Sequence, residues 1–560
     1  MKFSVFSKLQ REKTISTVIG FVLTAIICFV SDSEAGCAQN RMGQAREQTC
    51  DKTPSPCHLP QSGGEGTGGE GTCISGGERT HLVSMPSGGE GTGLVSTPSN
   101  GGEESKVDPC QWYVGAGRAK ITPKEPMWMA GYASRTTPFQ DVAIDLWAKA
   151  ILMQDSGGNQ LLLVTLDLVG LGHGMSTQII QAIQDQHQLH RSQIVLSTSH
   201  THSGPVVGDN LRPMYSYQLP AEQQELILQY SHFLKSQIIL AVQQAFDTKQ
   251  PVELKRGTGS ASFATNRRAN VEAEVPKRRA NGQLEGPVDH SVPVLVAYKA
   301  DKSPLAIVFG YACHATVLSG YRISGDYPGY AQIELERSYP GCTALFWAGC
   351  GADQNPLPRR TEELAEHYGQ CLALEVRSVL LTHELQLVNG PAGHQYQEIP
   401  LKYSSVPSRE QLAQQLASEN IYEKMRAQVL IEAVDAGQPL SDSYQYPVQS
   451  WQFADGFKWV FMGGEVVVDY SARIQSECLD MPVWVTAYAN DVMAYIPSLR
   501  VLREGGYEGA TAMVYYGLPS SWAETVEQDI IAEVHRQLII PKPLSFPEQP
   551  AVAEPKTDQP

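Results

Sequence analysis

The stretch NQLLLVTLDLVGLG, residues 159–172, constrains the fold more than any other part of the chain. It is a continuous apolar run that ends at Asp167 and a Gly-rich turn. A strand with such a run is buried on both faces, so its sheet must be covered on both sides. The neighbouring segments can supply that cover. MSTQIIQAIQDQHQL (175–189) has helical spacing, and Pro220 to Gln250 reads as a long amphipathic helix. Further strands are expected at WYVGAGRAKITP, VAIDLWAKAILMQD, SQIVLSTSHTH, SVPVLVAYKA and SPLAIVFGYACHA. Further helices are expected at 327–339, 360–381, 408–436, 466–479 and 525–538. Strands alternating with helices imply an α/β fold, a mixed β-sheet core flanked by helices, in a single large domain over 107–545.

The segments before and after this domain differ in kind. Lys2, Lys8, Arg11 and Lys13 precede the apolar run Thr17 to Val30, and Ser33 and Ala35 offer a small-residue cleavage site. Residues 1–35 therefore read as a signal peptide, with an uncleaved anchor as the alternative, and the protein is expected to be secreted, periplasmic or at the cell surface. Residues 36–106 are a low-complexity Gly/Ser/Thr/Glu-rich linker, in which SGGERTHLVSMP is followed directly by SGGEGTGLVSTP. Such a composition cannot bury enough apolar surface to offset its ordering entropy. Residues 546–560 read as a disordered tail. The formal net charge of −16 argues against nucleic acid as a partner. Eleven cysteines in 560 residues are too few for a disulfide scaffold, and which of Cys342, Cys350 and Cys371 pair is left open.

Six segments carry candidate chemistry. In VLSTSHTHSGP, His200 and His202 are two residues apart at a strand end, where an extended backbone turns both to one side. Two imidazoles together suit a metal, or a ligand plus a proton carrier; capping of the following turn is the competing role. His314 ends the strand of FGYACHATVLSG, and strand ends at one edge of an α/β sheet are where ligand sites collect. Asp326, in SGDYPGYA, competes as a helix N-cap. Glu465 follows a Gly-Gly turn and precedes a helix, where the dipole alone favours a carboxylate. Asn490, Asp491 and Tyr495 lie in AYANDVMAYIPS, and LFWAGCGADQNP runs from a strand into a Gly-rich loop.

Taken in order, STSHTHSGP, GYACHATVLSG, SGDYPGYA, GCGADQNP, GGEVVVDYSARI, YANDVMAYIPS and GYEGA resemble the motifs of the neutral, non-lysosomal ceramidase family over about residues 112–520. The resemblance implies one zinc per chain, held by His200, His314, Glu465 and Tyr495. It places His202 beside the metal, facing substrate or water, and Arg267 of TNRRAN in the active site, with Arg268 as its rival. Two histidines and a carboxylate would leave zinc a position for water or substrate. The bound water would then be acidified and an amide carbonyl polarised. A tyrosine oxygen near zinc gains acidity and can donate to a developing oxyanion.

Two departures qualify the resemblance. The family loop reads Gly-Asp-x-Ser-Pro-Asn, and its serine takes part directly in amide cleavage; aligned on Gly351, this chain has Gln354 at that position. A carboxamide is no nucleophile. Attack by zinc-bound water with His202 or Asp353 as general base, a covalent role for Asp353, or binding without turnover all follow. The family's C-terminal immunoglobulin-like domain is also not expected after the last helix. The expectation is an exported zinc-dependent amide hydrolase whose substrate is a small-molecule or lipid amide, N-acylsphingosine (ceramide) included, with peripheral membrane contact in the lipid case. The alternatives are a zinc-stabilised extracellular binding protein without turnover, and an unrelated metallohydrolase with the same histidine pair. Oligomeric state is left open.

Overall fold

The computed structural model describes residues 112–539, apart from 216–218 and 383. The expected signal peptide, linker and tail lie outside the described residues.

The core is a nine-stranded mixed sheet. Its strands run in the order Thr343–Ala348, Pro304–Tyr311, Ser291–Tyr298, Gln250–Ser260, Trp112–Lys120, Trp147–Gln154, Gln160–Leu166 and Ile194–Thr198, with the short Gln386–Leu387 beside Gln250–Ser260. Only the two outermost pairs are parallel. The strand Gln160–Leu166 shows why the sheet needs two covers: Leu162, Val164 and Leu166 join the core under the helices, while Leu161 and Leu163 join the core on the opposite face. On the first face lies the helix Ala221–Asp247, whose Leu234, Ile238, Ala241 and Val242 are fully buried there. It rides close to the sheet because Gly115 and Gly117 carry no side chain. A Cβ at either position would fall 1.8 or 2.1 Å from a helix carbonyl oxygen.

On the opposite face is a second sheet, made of Ala392–Lys402, Ser443–Phe453, Lys458–Met462 and Val483–Thr486. Trp451, Trp459, Phe461 and Trp484 fill the space between the two sheets. Helix Val526–Leu538 buries Ile530, Ile531 and Val534 against the outer side of the second sheet. The mixed sheet flanked by helices stands as expected, but this second sheet is not visible in the strand pattern read from sequence. The expected helix over 408–436 is two helices, Arg409–Gln415 and Ile421–Asp435. Asn420 breaks the run by accepting from the Tyr422 amide and starting a new N-terminus. Among the described residues, Cys313, Cys342, Cys350, Cys371 and Cys478 are free thiols, and no helix is long and apolar enough to cross a membrane.

Asp326 is a buried anchor rather than a simple N-cap. It is itself the first helical residue, at φ +54°, and its carboxylate accepts from the amides of Val317, Leu318 and Tyr327. It thereby pins the loop that follows His314. Burial pushes its carboxyl up to about 6, against the pull of those amides. A raised folded value means that this group favours the folded state most below about pH 4, and that the contribution is lost as pH rises through about 6. Two units at about 1.4 kcal/mol each make this about 3 kcal/mol. Urea unfolding of Asp326→Asn is expected to show a fall in stability between pH 4 and 7 that is smaller than the wild-type fall by up to that amount. Parallel profiles would contradict the assignment.

Candidate metal centre

Three loops beyond strand ends converge. The first follows Ile194–Thr198, the second Pro304–Tyr311, and the third Lys458–Met462 of the second sheet. They carry His200, His314 and Glu465, which are 2%, 1% and 3% exposed. Nε2 of His200 and Nε2 of His314 each lie 3.1 Å from Glu465 Oε2, and His202 Nε2 lies 3.0 Å from His200 Nε2. The Tyr495 hydroxyl is 3.4 Å from His314 Nε2. All four proposed ligands therefore meet, and His202 with them. His200 and His202 do not meet by strand alternation, as expected from sequence: the strand stops at Thr198, and His200 adopts a left-handed conformation (φ +58°) that folds the pair together. Tyr488 and Asn490 are left-handed as well, at φ +53° and +64°, with the Tyr488 ring 4.4 Å from that of His200. Such strain in non-glycine residues persists where the surrounding structure enforces it.

The donor chemistry fits a divalent cation. His200 and His314 each direct Nδ1 to a backbone carbonyl, Val169 O at 2.6 Å and Gly351 O at 2.7 Å. That fixes the proton on Nδ1 and leaves Nε2 as a lone pair turned inward, the outer-sphere arrangement that metal-ligating histidines use. The buried Glu465 Oε2 has no hydrogen-bond donor. Tetrahedral ligands about 2.0–2.2 Å from zinc sit about 3.3–3.6 Å apart, close to the separations here. Burial, with Arg267 beside it, pushes His314 down to about 4, and burial with the other two histidines takes His202 well below its ordinary value. Neutral imidazoles and an anionic oxygen are what such an ion needs.

His202 differs from the other two. Its Nδ1 has no partner, its Nε2 faces His200 Nε2, and the residue is half-buried. That suits a proton carrier. Its ring is packed edge-on against Tyr132 at 4.9 Å and against Gly131, where a Cβ would fall 2.5 Å from the imidazole. Gly131 also has φ +94°. Gly131→Ala is therefore expected to cost about 1–3 kcal/mol in urea unfolding through overpacking and strain; an unchanged midpoint would contradict this contact.

Arg267, not Arg268, reaches the cluster. Its guanidinium donates to the Tyr495 hydroxyl (3.1 Å), to Glu508 (2.7 Å) and to Asn355 Oδ1 (3.3 Å), whereas Arg268 pairs with Glu508 and Glu504. Asp353 is not at the cluster. Both its oxygens accept hydrogen bonds, from the Val468 amide at 2.9 Å and from Asn266 Nδ2 at 3.2 Å. Gln354 also turns away: its amide donates to Ala312 O and accepts from the Asp289 amide. Strand alternation over Gln354–Pro356 puts Asn355 on the side of Arg267 instead. Sequence reasoning missed Asn355, Glu508 and Tyr516, whose hydroxyl donates to Glu465 Oε1. The GYEGA motif contained Glu508 and the GCGADQNP motif contained Asn355, but nothing marked Tyr516.

Residues 112–348 match the family described as neutral/alkaline non-lysosomal ceramidase, N-terminal. The neutral ceramidase of Drosophila melanogaster is 24% identical over 255 residues, 43% of this chain and 35% of that protein. Neutral ceramidase B of Dictyostelium discoideum is 24% identical over 236 residues, 41% of this chain and 32% of that protein. The matches thus span about a third of the length of these curated relatives. The crystal structure of neutral ceramidase from Pseudomonas aeruginosa shares the fold, with a TM-score of 0.58 at 17% identity, over 78% of this chain and 76% of that one. Over residues 112–348 the chain is similar to the N-terminal domain of the neutral/alkaline non-lysosomal ceramidases, and the fold of the described residues agrees with that similarity.

Proposed function

We propose that the protein is an exported zinc-dependent hydrolase, with one zinc per chain, that cleaves the amide bond of an N-acylsphingosine-like or related amide. The observation that carries the reading is the meeting of His200, His314, Glu465 and Tyr495, drawn from distant parts of the chain, with Glu465 Oε2 unpartnered between two imidazoles. When bound, zinc supplies the charge that polarises an amide carbonyl and acidifies water. His202 takes the proton of the attacking water at Nε2 and returns it to the departing amine. Arg267 and Tyr495 donate to the oxyanion as the carbonyl carbon becomes tetrahedral. Glu508 and Asn355 hold the Arg267 guanidinium in place. With Gln354 turned away and Asp353 held by the Val468 amide and the Asn266 side chain, water is the nucleophile and no covalent acyl intermediate forms.

The test is hydrolysis of N-acyl amides of graded chain length and of matched esters, by the full-length protein, with and without chelator and with zinc added back. Chelator-sensitive, zinc-restored amide cleavage supports the reading, and the chain-length preference identifies the substrate class. One observation favours a second reading, a zinc-stabilised binding protein without turnover: all four proposed ligands are at most 3% exposed, as in closed structural sites. Bound zinc with no cleavage of any amide or ester in the series would select it.

A further inference from the structure

Glu465 presents two oxygens to two different partners. Oε2 faces Nε2 of His200 and of His314 at 3.1 Å each, whereas Oε1 accepts from the hydroxyl of Tyr516, 51 residues further along the chain. The terminal torsion of a glutamate is broad, so a carboxylate with both oxygens free can swing and offer an ion one oxygen or both. Here one oxygen is taken. We infer that Tyr516 is a positioning residue that fixes Glu465 as a one-oxygen donor toward the histidine cluster.

The segment that carries Tyr516 is built to hold it. A π-helical turn, Tyr507–Thr511, leads into the short helix Met513–Tyr516, and π-turns are frequent at functional sites. At its start, Glu508 pairs with Arg267 and the Tyr507 ring packs 5.2 Å from that of Tyr495. At its end, Gly517 terminates the helix in the left-handed conformation (φ +76°), with Pro213 3.1 Å from where its Cβ would be. One ten-residue stretch therefore touches Arg267, Tyr495 and Glu465 in turn. The inference rests on the metal-site reading and extends it to a residue outside the ligand set.

Tyr516→Phe keeps the ring and deletes the donor. On the full-length protein, the affinity for Zn²⁺ is measured by competition with a chromogenic chelator, and the visible spectrum of the Co²⁺-loaded form is recorded. Loss of an outer-sphere partner is expected to weaken Zn²⁺ binding about 10–100-fold and to change the Co²⁺ spectrum. Tyr396→Phe, whose hydroxyl serves Glu398 instead, is expected to leave both unchanged. Wild-type affinity together with a wild-type Co²⁺ spectrum in Tyr516→Phe would overturn the inference. Should the variant also melt lower without metal, the spectrum decides, because loosened packing alone does not alter the ligand field. A wild-type protein that takes up neither ion would sink the site reading itself, a result distinct from normal wild-type uptake that Tyr516→Phe fails to disturb.

Discussion

His200→Ala and Glu465→Gln are each expected to abolish stoichiometric zinc binding. Wild-type protein, purified, stripped with chelator and reloaded, should hold about one ion per chain; either variant should hold none after the same dialysis. The expected loss of affinity exceeds the 10–100-fold that outer-sphere partners cost, because a ligand rather than its support is removed. Amide hydrolysis should fall with it to the uncatalysed background. The two substitutions separate chemistry from packing. Glu465→Gln keeps the volume and the Tyr516 contact but replaces an anion between two imidazoles with a neutral amide. His200→Ala opens a cavity and removes the ring that packs on Tyr488. If Glu465→Gln retains one tightly held ion, the carboxylate is not a ligand and the centre needs a different donor set. Metal uptake is measured by elemental analysis and is independent of any substrate choice, so a negative hydrolysis result cannot mask it.

How much of this was legible in the sequence depends on the range of the interaction involved. The run Leu161–Leu166 declares its two-sided burial locally, since every residue is apolar or small enough to pack, and the mixed sheet flanked by helices follows from it. His200, His314 and Glu465 could be singled out because each ends a strand or follows a turn, and the motif order tied them together. What the sequence hid was orientation. Asp353 and Gln354 look like the reactive part of a Gly-rich loop, but Asp353 is held by the Val468 amide and Asn266, Gln354 turns to the backbone, and Asn355 faces Arg267. That alternation depends on the pairing of Gln354–Pro356 with Ala264–Asn266, which are about ninety positions apart in sequence. The second sheet was hidden for a related reason. Its strand Ala392–Lys402 is mostly half-exposed and polar, so it carries no apolar signature, and it exists by pairing along its length with Ser443–Phe453. Tyr516 acts through a single hydroxyl across 51 residues, and no local pattern encodes that.

The two adjacent arginines give a sharp separation of function from stability. Arg267→Met is expected to lower the rate of amide cleavage about 10²–10³-fold, the cost of losing one donor to a developing oxyanion, with a smaller change in KM. Its guanidinium is the one that touches the Tyr495 hydroxyl, and its ring distance to Tyr495 is 5.8 Å. Removing it does not strand a buried charge, because Glu508 keeps Arg268 at 2.6 Å. The fold should therefore survive well enough to measure. Arg268→Met removes a different set of contacts, to Glu504, Glu508 and the Gly505 carbonyl. Glu508 is only 6% exposed, and it retains Arg267 in that variant. The expected outcome for Arg268→Met is a loss of about 1.5–3 kcal/mol in unfolding free energy, the range for a hydrogen bond to a charged group, with the rate within a few-fold of wild type. Zinc content should be unchanged in Arg268→Met, whose guanidinium touches none of the proposed ligands. A rate loss larger for Arg268→Met than for Arg267→Met, measured at saturating substrate on zinc-loaded protein, would show that the arginine nearest Tyr495 is not the one that meets the substrate. The oxyanion would then have to be held from the Glu504 side of the site.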